Sequence, residues 1–319
     1  MWFLMSLACM LFWGFADLFY KKGTDERDRY SHLKIAVWVG LVMGVFAFAL
    51  MPFSETKFSV TALISNAIKY SPASLCYIIS MVIGYAGLRY LEVSIVSPVQ
   101  NASGALSAVL IFVWFTARGK IGSFTEEFSL IDILGTVAIV LGVIALAVVE
   151  QRLASAEKEL SASERKYRFG ALALIFPVLY CIFDTIGTSA DGIILEGEGG
   201  LGIGEVDVLI LYGLTFFMAG IIAWLFMLVK TKEIYNPFAK SQRTKGIAAL
   251  CEEGGQVFYV YAMAGKPILA APMVASYCIV SVILSRIFIK EKLKSSQYAC
   301  VVSVIVGVVL LGISEGLAE

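Results

Sequence analysis

The sequence is poor in the residues from which polar catalytic centres are built. It has a single histidine, His32, and its six cysteines (Cys9, Cys76, Cys181, Cys251, Cys278, Cys300) each stand alone in an apolar run, with no CxxC pair and no neighbouring histidine. That spacing offers no zinc or dithiol centre and leaves the cysteines as small core residues. HExxH, GxSxG, a Cys/His pair and an ATP-binding motif are all missing, so no metal and no cofactor are expected, and an enzyme is the weakest class of function. Charge is scarce too. Asp, Glu, Lys and Arg make up 16% of 319 residues and cancel to a net charge of +0. Neither an overall basic field nor an aromatic-interleaved basic patch is there to draw nucleic acid.

What the chain has in excess is apolar surface. Hydrophobic residues are 59% of the total and the mean hydropathy is +0.83, well outside the range of soluble domains. The composition is that of an integral, multi-pass protein of a lipid bilayer, expected in a prokaryotic cell membrane. The opening MWFLMSLACMLFWGF has no basic n-region and no small-residue cleavage site, so it reads as a retained helix and not as a signal peptide.

Runs near the ~20 residues that span a bilayer predict ten helices, at 2–19, 33–51, 72–88, 93–115, 130–149, 169–189, 206–229, 247–264, 268–289 and 297–313. Val60, Leu63, Ile64, Ala67 and Ile68 have helical spacing ahead of Ser71-Pro72, which fits a short surface helix or an amphipathic loop equally well. Between the fifth and sixth helices lies QRLASAEKELSASERKYR, a charged linker over 151–168 that divides a first half, 1–150, from a second, 169–319.

The halves resemble one another. SLIDILGTVAIVLGVIALAVVE aligns with KSSQYACVVSVIVGVVLLGISE without gaps, pairing Gly142 with Gly307 and Glu150 with Glu315; Ser97-Pro98 aligns with Ala271-Pro272, and Trp13-x3-Asp17 with Tyr180-x3-Asp184. Two similar halves of five helices each must lie in opposite senses across a membrane, the inverted-repeat plan of secondary transporters around a central cavity. FWGFADLFYKKG, SRIFIKEKL after a proline-bearing ninth helix, and the closing VIVGVVLLG together resemble the EamA family of the drug/metabolite transporter superfamily. The resemblance implies ten helices, a central substrate cavity and alternating access. The second half has Lys290-Glu291-Lys292 where the first has Ala117-Arg118-Gly119-Lys120, so that acidic feature occurs once. Lys and Arg concentrate in the loops after odd-numbered helices, which predicts both termini outside.

The chemically telling stretch is IAALCEEGGQVFYVYAMA, 247–264, which puts Glu252 and Glu253 inside an apolar run. A lipid-facing carboxylate there costs roughly 2.5–3.5 kcal/mol, so these acids should face protein or water. Glu252, Gln256 and Tyr259 share one helical face and Glu253 is turned away by about 100°. The functional reading is that one glutamate binds a cationic part of the substrate or takes up a proton; the structural reading is an ion pair with a Lys or Arg of another helix, or an acid at the interface. Gly254-Gly255 permits close approach of a helix or of substrate. Asp17 and Asp184 are gate candidates near opposite faces, and Trp13 and Tyr180 offer aromatic faces to a cationic or ring-bearing ligand. Pro177 should free the carbonyl of Ala173 and break the sixth helix. Asn101 in the fourth helix and Ser276 and Tyr277 in the ninth supply hydrogen-bonding groups, for substrate or for packing. Thr188–Glu205, rich in Gly and acids, reads as a surface loop.

These features predict a secondary carrier for a small organic metabolite, an amine, amino-acid-like or other cationic or zwitterionic compound, with protons or a counter-substrate as the coupling partner. A channel or a non-transporting receptor on the same scaffold is the alternative, and an intramembrane enzyme the third.

Overall fold

The computed structural model describes residues 1–25, 27–55, 59–88, 90, 96, 99–121, 128–160, 175–195, 203–289 and 294–318. Among these residues every regular element is helical and no strand occurs. The long helices are α1 (Trp2–Gly23), α2 (Ser31–Leu50), α3 (Val60–Gly87), α4 (Ser103–Ala117), α5 (Leu130–Leu160), α6 (Ile175–Leu195), α7 (Glu205–Thr231) and α8 (Arg243–Gly265). They are followed by α9 (Pro267–Ala275), α10 (Tyr277–Leu284), a π-helical turn at Ser285–Ile289, and α11 (Ser295–Ala318).

Nine spans among the described residues are long and apolar enough to cross a membrane, α9 and α10 counting as one. The chain is therefore an all-α polytopic membrane protein. The expected tenth, α8, has the length but falls outside that set. Its polarity is the reason: Arg243 and Lys245 open it, and Glu252, Glu253 and Gln256 sit in its middle. All of these but the exposed Arg243 are covered by protein and not by lipid, with Glu252 and Glu253 at 6% and 8% exposure. The outer helices show the opposite pattern. Leu134, Leu141 and Val148, seven residues apart on α5, are all exposed, an apolar stripe suited to acyl chains.

Several boundaries differ from those read in the sequence. The stretch 60–68 is neither a loop nor a separate helix; it is the first third of α3, which runs through Pro72. Glu150 does not end α5, which continues to Leu160; 161–168 of the expected linker and 169–174 of the expected sixth helix lie outside the described residues. Thr188–Leu195, expected as loop, is the last two turns of α6. Glycine and acid content misled here, because burial against neighbouring helices outweighs the roughly 1 kcal/mol that a glycine costs a helix. The helix break expected at Pro177 turns on the carbonyl of Ala173, which lies outside the described residues; Pro177 itself is described on α6. Breaks are found at Ala102 and Ser276, each four residues beyond the aligned proline positions 98 and 272. At Ser276 the side-chain hydroxyl donates back to the Met273 carbonyl, 2.5 Å. Pro98 itself is not described.

Helix packing is reciprocal. α1 lies along α8 as α3 lies along α6; α1 also contacts α10 as α6 contacts α4; and α2 pairs with α7, α5 with α11, and α4 with α9. The α2–α7 crossing shows why Gly40 is glycine: a Cβ there would stand 2.5 Å from the Phe216 carbonyl oxygen and 2.9 Å from Gly220 Cα.

One loop contact gives a direct test of the fold at its edge. Asp28, between α1 and α2, is half-buried, which alone pushes its carboxyl up. The Lys34 ammonium at 2.7 Å and the Tyr30 N–H at 2.9 Å outweigh that burial and hold it below the usual carboxylate value. A depressed folded value means stability present at neutral pH and lost as pH falls through that value. Thermal melts in detergent should show Asp28→Asn costing about 0.5–1 kcal/mol at neutral pH. The difference should shrink and vanish as the pH is lowered through that depressed value.

Candidate functional site

The acids of the apolar helices meet in one place. A cavity of about 60 Å³ opens where α1, α3, α4, α6, α8 and the α9–α10 break converge. Its carboxylates come from three helices: Asp17 on α1, Asp184 on α6 and Glu252 on α8. They lie near enough for Asp17 and Asp184 both to act electrostatically on Glu252. No described residue lining the cavity is Lys, Arg or His. Among the described residues no ion pair reaches Glu252 or Glu253.

Asp17 and Asp184 are expected near opposite faces, yet both line this cavity. Each accepts a hydroxyl from the helix beside it, Ser281 Oγ to Asp17 Oδ2 at 2.7 Å and Ser103 Oγ to Asp184 Oδ2 at 2.6 Å. The α1–α10 and α4–α6 contacts are counterparts, so the two aspartates are held alike, although the serines differ by one turn in the alignment. Charge-assisted bonds of this kind orient a carboxylate without neutralising it.

Aromatic rings form the walls. Trp13 stacks on Tyr259 at 5.2 Å between centroids and meets Tyr277 edge-on at 5.5 Å. The Trp13 indole N–H donates to the Glu252 carbonyl at 3.2 Å, which ties α1 to α8 at the level of the acid. Gly254-Gly255 serves this helix contact: a Cβ on Gly255 would overlap the Trp13 indole. Tyr77 and Tyr259 share a hydroxyl–hydroxyl bond, 2.5 Å, and the Tyr77 hydroxyl reaches Thr188 Oγ1 at 3.1 Å. Tyr180 donates to Met81 Sδ at 3.5 Å, and Asn101 faces the Tyr277 hydroxyl. Gln256 lines the cavity with Gln100, and the side-chain nitrogen of each is buried without a hydrogen-bond partner. An unpaired buried amide costs about 1–3 kcal/mol, so both are donors in want of an acceptor.

Glu253 and Ser276 do not line the cavity. Glu253 is turned off it by the helical step from Glu252, and the Ser276 hydroxyl is spent on the helix break. Residues the sequence reading passed over do line it, notably Tyr20, Tyr85 and Tyr212. Tyr20 follows Trp13 and Asp17 at i+7 and i+3, a signal open to anyone extending that helical face. Asp191 was placed in a loop, though it stands seven residues past Asp184; it is wholly buried on α6. Among the described residues no group of three His, Cys, Asp or Glu side chains is placed to hold a metal ion.

No protein-family model and no curated protein matches the sequence. A solved structure described as "Crystal structure of protein" is similar to the chain with a TM-score of 0.60, at 9% identity, over 100% of this chain and 98% of that one. The likeness is one of fold. It extends end to end, so the helical arrangement described here is one that another protein also adopts, and it says nothing of what the cavity takes.

Proposed function

We propose that the protein is a secondary carrier in a cell membrane for a small organic cation or zwitterion, an amino-acid-like amine above all. One observation carries the reading: three carboxylates and two unpaired amide nitrogens face an aromatic-walled cavity with no basic side chain among the described residues that line it. A cationic amine is drawn by Asp17, Asp184 and Glu252 and by the faces of Trp13 and Tyr259. The Gln100 and Gln256 amides are placed to donate to a carboxylate on the same molecule.

The helix count and symmetry belong to this proposal. α8 is the tenth span, tolerated in a membrane because its polar face is buried in the bundle. Residues 1–150 and 169–319 are two inverted five-helix repeats, a reading supported by the reciprocal packing of α1–α8 with α3–α6, of α1–α10 with α4–α6, and by the paired Asp–Ser bonds. The EamA-like motifs agree with it. Alternating access then means rocking of one repeat against the other about the cavity, with the helix breaks at Ala102 and Ser276 as points where α4 and the α9–α10 unit can bend.

The test is counterflow in proteoliposomes with radiolabelled lysine, choline, phenylalanine and succinate, in the absence of ATP. Saturable exchange of at least one of the three amino compounds and none of succinate is expected. Non-saturable flux would indicate a channel, and exchange of succinate alone would overturn the choice of a cationic ligand.

A further inference from the structure

Asp191 is a buried acid that the carrier reading leaves without a task. Its exposure is 0%, and neither carboxylate oxygen has a hydrogen-bond partner. It does not line the cavity. The groups that face it are known from each element packed on α6: Tyr70 and Tyr77 from α3, Tyr259 from α8 and Tyr212 from α7, with Asp184 two turns back on α6 itself. Next to it, Gly192 abuts Ile111 of α4, Pro267 of α9 and Met263 of α8, all apolar. The Tyr70 hydroxyl, also 0% exposed, is likewise unpartnered. The Tyr70 hydroxyl and the Asp191 carboxyl therefore stand together out of contact with solvent, near enough to act on one another, with no cation beside them among the described residues.

A carboxylate in such a setting is costly unless it binds a proton or a cation. The surroundings favour a proton. Tyrosine hydroxyls can accept from a carboxylic acid and donate to a carboxylate. Its recorded neighbours are tyrosine hydroxyls and apolar side chains, with one further carboxylate two turns away. The route in is also laid out, because Tyr77 and Tyr259 face Asp191 and line the cavity, with their hydroxyls bonded to each other.

We propose that Asp191 is a proton-binding site distinct from the substrate cavity, reached through the Tyr77–Tyr259 pair, and that it carries the proton coupled to transport. The proposal rests on the carrier reading. In the loaded state Asp191 is a neutral acid. On unloading, its O–H bond breaks, the proton passes to a tyrosine oxygen as that hydroxyl gives its own proton to cavity water, and the carboxylate remains. Each tyrosine gains one proton and loses one, so the charge change is confined to Asp191 and the released proton. Glu252 is then free to serve the ligand, and the two buried acids have separate duties.

The experiment compares wild type with Asp191→Asn in proteoliposomes, using the same labelled lysine, choline and phenylalanine. Counterflow at equal pH exchanges ligand for ligand and should survive within about twofold, whereas uptake driven by an imposed pH gradient should fall at least about tenfold. Gradient-driven uptake that persists in Asp191→Asn overturns the proposal. A second measurement needs no substrate: infrared spectra of the reconstituted protein should show a protonated-carboxyl band that Asp191→Asn removes. A band that Asp191→Asn leaves intact overturns the proposal. Should that variant not fold, Tyr70→Phe decides, since loss of the neighbouring hydroxyl must shift the band; a band that does not move refutes the site. If wild type moves none of the labelled compounds, the carrier reading fails, and the infrared result alone judges whether Asp191 binds a proton.

Discussion

Glu252→Gln is expected to weaken binding of a cationic ligand at least about 30-fold while leaving the protein as stable as before or more so. The size follows from the site. Truncating one member of a buried charge pair costs about 2–5 kcal/mol, and 1.4 kcal/mol is tenfold in affinity. Glu252 is buried with Asp17 and Asp184 acting on it and no basic partner among the described residues. In the empty protein the three acids are held together against their mutual repulsion, which a neutral amide relieves. A residue that binds ligand at the cost of stability is a common mark of a functional position. Glu253→Gln supplies the contrast. Equally buried but turned off the cavity, Glu253 should change affinity by less than about threefold. Ligand-dependent thermal shifts and counterflow of labelled lysine measure both effects in the same preparation. Equal losses in the two variants would sink the assignment of Glu252 to the ligand.

Gly255→Ala should be a damaging single-methyl change. A Cβ at Gly255 overlaps the Trp13 indole, so the ring must leave the position from which it bonds the Glu252 carbonyl and stacks on Tyr259. Overpacking of this kind costs about 1–3 kcal/mol in stability. The functional loss should be larger than that figure implies, because the displaced ring is a wall of the cavity. Gly254→Ala is the control. Its Cβ would come within 2.6 Å of the Phe12 ring, but Phe12 is 40% exposed and can swing outward, so the cost should stay below about 1 kcal/mol. Melting temperature and tryptophan fluorescence separate the two cases: a red-shifted Trp13 signal is expected for Gly255→Ala only.

How much of the site could be read in advance depended on whether one helix or several had to be known. Glu252, Gln256 and Tyr259 share a face because their spacing is helical, and that relation needs only the 3.6-residue period. Trp13 with Asp17, and Tyr180 with Asp184, are legible in the same way. Their meeting is not. Asp17 and Asp184 face one cavity because α1 and α6 pack against the α9–α10 unit and α4, and such neighbours follow from interhelical packing that no single segment encodes. Asp191 was obscured by composition. The glycines and acids around it suggest a loop, and only burial against α3 and α8 makes those turns helical.

Membrane residence, helical regular structure and a few acids placed where lipid would not tolerate them can all be read from the sequence. Hydropathy and helical period are local properties, and local properties suffice for these. Which of two adjacent glutamates lines the cavity, the joining of two aspartates distant in sequence, and the burial of Asp191 beside Tyr70 come from helix packing alone. A helix can rotate about its axis without changing its composition, and the direction in which each acid points is set by the glycines, serines and aromatic rings of the helices packed against it.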